Sequence, residues 1–147
     1  MFSKDALVSM ADGTFKPISS IIKGDVILNK FYQKCNVLEI NTHQNEKCQL
    51  IQLNNGTTSF HSSPNSIILC YYKTPNALKS EYCKLSNAYI NNSILKSNLR
   101  LFSPDSDVII EKYIDVENQT LYSLRTSDNS QSYLINKIIT TKEPSHY

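Results

Sequence analysis

The 147-residue sequence has no tryptophan, only three glycines, and no apolar run near the roughly 18 residues that a membrane-spanning helix requires. Its first residues, MFSKDALVSMADG, lack the basic-then-apolar order of a secretory signal. The expectation is therefore a soluble chain without a membrane partner, either cytoplasmic or cut from a larger parent. No pair of the four cysteines (Cys35, Cys48, Cys70, Cys83) has the C-x-x-C spacing, and neither Cys70 nor Cys83 is followed by a histidine at metal-ligand distance. That excludes a recognisable zinc site and leaves buried or half-buried free thiols as the plain reading. Fifteen Lys and Arg against 13 Asp and Glu give a net charge of +2, and the basic residues are scattered rather than gathered on one stretch. A nucleic-acid interface therefore has no electrostatic footprint here. The scarcity of glycine, beside abundant Asn, Ile, Lys, Ser and Tyr, reads as a base-composition bias and carries no functional information.

What is present is a succession of short β-prone runs. ALVSM alternates apolar and polar residues before the turn signal Ala11-Asp12-Gly13-Thr14. DVILNKFY, NVLEI, CQLIQL, TTSFH and SIILCYY follow, with Asn54 to Gly56 reading as a hairpin turn before TTSFH. DVIIEKYIDV, TLYSL, SYLI and KIIT complete the series. Strand signals spaced roughly ten residues apart predict an all-β fold, a sandwich, barrel or related compact form. Helix is expected only as one turn at Pro17 to Ile22 and as a short piece within LSNAYINNSIL. With 40% hydrophobic and 19% charged residues the chain is ordinary for one globular domain, placed at residues 1–142, with 143–147 as a polar tail.

Four segments then stand in a particular order. The first is MFSKDALVSMADGTFKPISSIIKGDVIL, with its D-G turn, Pro17-Ile18 and Gly24-Asp25-Val26. The second is FHSSPNSIILC, the third LYSLRTSDNSQSYLINK, and the fourth KIITTK. Together they resemble the signature blocks of the Hint-domain or intein (protein-splicing) family, over nearly the whole of Met1 to Lys142. Too few residues separate Cys70 from Leu121 for a homing-endonuclease domain, so the resemblance is to a mini-intein or a Hint relative. It implies a horseshoe-like, pseudo-twofold β fold whose two ends meet. It also implies autocatalytic splicing or self-cleavage without metal or organic cofactor, flanking host-protein segments (exteins) as partners in cis, and a monomer.

The same resemblance shows what the chemistry would need. The family's first residue is a nucleophile that attacks its own preceding carbonyl. Here Met1, a thioether, stands at that position, and whether it is native or replaces a Cys or Ser is open. The family's T-P-N-H motif supplies a His that protonates the leaving nitrogen, a contribution on the order of 10²–10⁴ in rate. Ser63-Pro64-Asn65-Ser66 matches that motif, so Ser66 replaces the His. An alternative register reads Thr58 to His61 as T-x-x-H. The late block's acidic group and His correspond to Ser123 and Gln131, with His61 and Asp128 as conceivable substitutes for the lost acids. The final His-Asn, which closes a succinimide, corresponds to Thr141 and Lys142, and His146 falls too late. Variants of the family that bypass the first Cys rely on a Trp and a late-block Cys, and this chain has neither. The expectation is a Hint domain impaired or inactive in splicing. The alternatives are an active domain of atypical chemistry whose first Cys or Ser was replaced by Met1, and an unrelated β-rich binding module using surface tyrosines. If the family reading holds, Met1, Ser63, Ser66 and Thr141 should cluster.

Overall fold

The computed structural model of the chain describes residues 1–54, 59–73, 78–90, 93–95 and 108–141. In chain order the strands are β1 (Phe2–Ser3), β2 (Leu7–Ser9), β3 (Phe15–Pro17), β4 (Val26–Leu28), β5 (Lys34–Leu53), β6 (Ser59–Ser62), β7 (Ile67–Lys73) and β8 (Leu78–Lys84). The helix α1 (Leu85–Ile90) comes next, then β9 (Ile94–Leu95), β10 (Ile110–Thr126), β11 (Ser132–Ile135) and β12 (Ile138–Thr141). Every pairing is antiparallel. One sheet runs β10–β1–β6–β5–β4 and closes on itself, because β10 also pairs with β5. The other runs β3–β2–β11–β12–β7–β8, with β9 on β7. The fold is all-β with one short helix, as the strand spacing predicts.

The D-G turn makes the first hairpin. Asp12 accepts hydrogen bonds from the Thr14 N–H (3.0 Å) and hydroxyl (2.6 Å), and Gly13 adopts φ +88°, so β2 and β3 pair in tight register. The G-D turn works similarly. Gly24 sits at φ +94°, and the Asp25 carboxylate accepts from Ile22 N–H (3.0 Å) and Lys16 Nζ (2.9 Å), fixing the entry to β4. Pro17 precedes a single 3-10 turn at Ile18–Ser20, whose Ile18 is buried. In α1, Leu85 and Ala88 turn inward at helical spacing.

Three expectations about elements change. The run DVILNKFY is a strand only to Leu28. Asn29 Oδ1 then accepts from Phe31 N–H (2.8 Å) and Gln33 N–H (3.0 Å), a side-chain-made turn that reverses the chain. NVLEI and CQLIQL are one strand, β5, and DVIIEKYIDV and TLYSL largely form another, β10. The polar stretch between NVLEI and CQLIQL looks like a loop because its alternation is lost. It stays extended because β5 and β10 pair from Leu53↔Ile110 to Val37↔Thr126, with bulges around Gln119 absorbing the irregularity. The proposed Asn54–Gly56 turn lies largely outside the described residues.

A single apolar cluster holds both sheets together. It includes Phe2, Val8, Ile18, Ile27, Ile51, Ile68, Leu124, Tyr133 and Ile135. The β11–β12 hairpin is pinned to β2 by Asn136. Its Oδ1 accepts from Leu7 N–H and its own N–H donates to the Leu7 carbonyl, both at 2.8 Å, from a left-handed backbone at φ +47°. Asn136→Ala removes the side-chain acceptor and places an alanine in the left-handed region. It should cost about 2 kcal/mol in a urea titration, with little change in slope. The Asp25 carboxyl is held below its usual value by the Ile22 N–H and then by the Lys16 ammonium. Because the folded-state value is the lower one, this contribution is complete above the ordinary carboxylate value of 3.8 and disappears as pH falls through the depressed one. Asp25→Asn should therefore flatten the stability profile below about pH 4, measured as the melting midpoint against pH.

Candidate functional site

Strand pairing brings the beginning of the chain to the turn between β6 and β7, and the end of β12 to the start of β7. β1 is only two residues long, and it is held on both edges. Phe2 pairs with Tyr122 of β10 and with Ser62 of β6, and its ring packs 6.1 Å from that of Phe60. That slot fixes Met1 over the turn between β6 and β7. Pro64 and Asn65 form that turn, and Ser66 N–H donates to the Ser63 carbonyl across it at 3.3 Å. On the far side β12 lies along β7, with Thr141 opposite Ile67 and Thr140 opposite Ile68. Thr141 thus stands in register beside the residue that follows Ser66.

Met1 and the serine turn are joined through backbone and hydroxyls. The Met1 main-chain nitrogen donates to Ser66 Oγ at 2.8 Å and, at 3.4 Å, to Ser63 Oγ. Ser66 Oγ donates to the Met1 carbonyl at 3.0 Å, and the Ser63 N–H donates to that same oxygen at 3.0 Å. Ser63 Oγ and Ser66 Oγ lie 3.1 Å apart. Ser62, which the sequence reading passed over, completes the group. Its hydroxyl donates to Ser66 Oγ at 2.7 Å and lies 3.0 Å from the Ser63 carbonyl. All three serines are buried. The only advance signal for Ser62 was its place beside Ser63 in F-H-S-S, and strand alternation puts it on the inner face with Phe60.

That alternation also decides the position of His61. Phe60 and Ser62 are buried while His61 is half-exposed opposite Leu50, so His61 projects from the other face of β6 and away from Met1's serines. Asp128 lies in the loop from β10 to β11. Its carboxylate accepts from the Ser130 N–H at 3.2 Å and, more closely, from the Ser130 hydroxyl, so it shapes that loop. Gln131 braces the same loop. Its amide bonds to both backbone groups of Thr126 and to the Asp128 carbonyl. Ser123 sits within the long ladder opposite Asn41. The Thr141 hydroxyl donates to the Ser130 carbonyl at 2.9 Å, which ties the end of β12 to the Asp128 loop. Thr58, Lys142 and His146 lie outside the described residues.

Cys48 neighbours the group on β5, next to Gln49, which pairs with Ser62. Its thiol is buried, and that burial raises its pKa, as it does for Cys35. Among the described residues no group of three His, Cys, Asp or Glu converges to hold a metal ion, and no helix is long and apolar enough to cross a membrane.

The Met1 nitrogen here is a terminal ammonium, and the same hydroxyls can accept from a main-chain amide at residue 1. Ser66 is the hub, because it both accepts from the Met1 nitrogen and donates to the Met1 carbonyl. Ser66→Ala removes one hydrogen bond from each of these part-buried groups and should cost about 1–3 kcal/mol in a urea titration. Ser63→Ala, which removes only the longer contact to the Met1 nitrogen, should cost less.

No protein-family model matches the chain, and no curated protein matches it. Solved structures do. The gp41-1 intein superposes with a TM-score of 0.68 at 19% identity, over 96% of this chain and 97% of that one. An Ssp DnaB mini-intein gives 0.70 at 17% identity, over 99% and 94%. A DnaB intein from Synechocystis sp. PCC 6803 gives 0.70 at 14% identity, over 97% and 98%. Likeness at that level of identity is a likeness of backbone course, maintained across essentially the entire length of both partners. With two antiparallel sheets and a single short helix among the described residues, and its first residue placed against the β6–β7 turn, the chain has the Hint fold of the inteins.

Proposed function

We propose that this is an intein-like Hint domain, carried between flanking host segments in cis, whose self-processing is disabled at the residues that would perform it. The observation that carries the reading is the 2.8 Å contact between the Met1 nitrogen and Ser66 Oγ. In the family that this chain resembles, a histidine serves at the corresponding place as the acid for the departing nitrogen. A serine hydroxyl keeps the hydrogen bond and the geometry, but it does not release its proton near neutral pH. Met1 supplies no nucleophile, since a thioether has no proton to lose and no anionic form. At the other end, Thr141 and Lys142 replace the His-Asn pair, and neither side chain closes a succinimide.

These losses fall on different steps. Without a nucleophile at residue 1 the acyl shift does not begin. Without an acid at residue 66 the amide nitrogen leaves slowly even if a nucleophile is restored. Without Asn at residue 142 the downstream bond is not cut. Groups acting as a unit do not contribute independently, so their combined effect is not the product of the single effects. Fold without activity is an ordinary outcome when function resides in a few groups on a tolerant framework. On this reading the domain acts as a monomer, in the compartment of its host, with no nucleic-acid partner.

The test is mass spectrometry on the chain expressed between two short flanking segments, with residue 1 as Met and as Met1→Cys, each incubated with and without an excess of small thiol. The expected result is intact precursor in all four samples. Release of the upstream segment from the Met1→Cys protein on adding thiol would overturn the assignment of Ser66 as disabling. It would leave residue 1 as the sole lesion at that junction. Ligated flanking segments would overturn the whole reading in favour of an active domain of atypical chemistry.

A further inference from the structure

The two sulfurs of Cys70 and Cys83 lie 2.7 Å apart, closer than two non-bonded sulfur atoms rest and about 0.7 Å beyond a covalent S–S bond. They come from adjacent strands. In the β7–β8 ladder Ile68 faces Cys83 and Cys70 faces Glu81, so the two cysteines are diagonal neighbours on one face of the sheet. The neighbouring chain is well held on both sides, because β7 pairs with β8 along its whole length and with β12 and β9 on its other edge. Cys70 is fully buried, whereas Cys83 is partly exposed. The other two cysteines, Cys35 and Cys48, are both buried on β5.

From this geometry we propose that Cys70 and Cys83 form a site of reversible oxidation, closing to an intrachain cross-strand disulfide in exchange with a small-molecule disulfide such as oxidised glutathione. The inference goes beyond the splicing reading and does not rest on it. Cys83 is the entry point because it alone of the pair meets solvent. Its thiolate attacks one sulfur of the external disulfide, forming a mixed disulfide and releasing one thiolate. The Cys70 sulfur then attacks the Cys83 sulfur, losing its proton to the second departing thiolate. Two protein thiols and one disulfide become one protein disulfide and two small thiols, so atoms and electrons balance.

The Cys83 sulfur beside it, together with burial, pushes the Cys70 thiol up. Burial keeps Cys70 from meeting an oxidant alone, and its place beside the Cys83 sulfur makes it the thiol that resolves a mixed disulfide formed there. The location gives the cross-link a consequence. Lys84, next to Cys83, pairs with Ile67, and the Leu85 N–H donates to the Ser66 carbonyl at 2.8 Å. Oxidation therefore staples β7 to β8 immediately beside the point where β7 leaves the serine turn that holds Met1.

The test equilibrates the unmodified chain with mixtures of reduced and oxidised glutathione, then reads intact mass, titratable thiols under denaturing conditions, and a peptide map. The expected product is about 2 Da lighter, with two of its four thiols lost, a map that links Cys70 to Cys83, and a higher melting midpoint than the reduced form. Cys70→Ser should stop at a glutathione adduct on Cys83, while Cys83→Ser should stay unmodified. Four surviving thiols, a linkage involving Cys35 or Cys48, or a stable glutathione adduct on Cys83 in the unmodified chain would each overturn the proposal.

Discussion

The pairing of β5 with β10 is the constraint on which everything else hangs. Two long strands, far apart in sequence, lie antiparallel along almost their full lengths. Each then offers its free edge to the remainder of its sheet. β5 receives β4 at one end and β6 at the other, and β10 receives β1. Because β1 also pairs with β6, the four strands β10, β1, β6 and β5 form a closed circuit. Closure satisfies the backbone of a two-residue strand that would be far too short to hold itself, and it leaves neither edge of that strand open. The position of Met1 is thus determined by main-chain hydrogen bonds at Phe2, Ser3 and Met1 itself, not by the Met1 side chain.

The placement of residue 1 is thus separate from the chemical type of its side chain. The contacts that locate residue 1 are backbone ladders, the Phe2–Phe60 contact, and the carbonyl of Met1 bonded to Ser63 N–H and Ser66 Oγ. None requires an acid, a base or a nucleophile. A hydroxyl is enough to satisfy a buried main-chain donor, and burial makes leaving such a donor unpaired expensive. The Ser66 hydroxyl therefore meets the hydrogen-bond requirement of residue 1 with no acid or base. Selection for folding alone would keep a group of this type.

Much of the fold could be read from the sequence where a local rule was sufficient. Asp12-Gly13 and Gly24-Asp25 announced turns because a carboxylate that bonds its own backbone and a glycine at positive φ leave clear traces. ALVSM, SYLI and KIIT announced strands by pattern. The reading failed where a partner distant in sequence decided the outcome. Asn41 to Lys47 lost its alternation and looked like a loop, yet β10 supplies a hydrogen-bond partner that keeps it extended. DVILNKFY looked like one strand, and Asn29 ended it through two side-chain bonds that only the folded turn discloses. At the site, the nearness of Ser63 and Ser66 to Met1 was legible by order and spacing, whereas the Thr141 hydroxyl bonds to the Ser130 and Gln131 carbonyls. Ser62 was not legible, since its role depends on which face of β6 points inward. His61 was attractive by type alone and is carried to the opposite face by the same alternation.

The closed circuit of strands also has a consequence for how the chain is made. The first strand of this domain to be made, Phe2–Ser3, has its partners at Ser62 and at Leu121 and Tyr122. Nothing local can hold it meanwhile, since a two-residue strand has no stability of its own. The opening residues must therefore wait, extended and unpaired, until β10 has been synthesised and has found β5, a long-range closure of the slow kind. Their docking is a terminal event in folding, so the junction at residue 1 takes shape only after almost the entire domain exists. The order of assembly itself keeps that end of the chain from being engaged early.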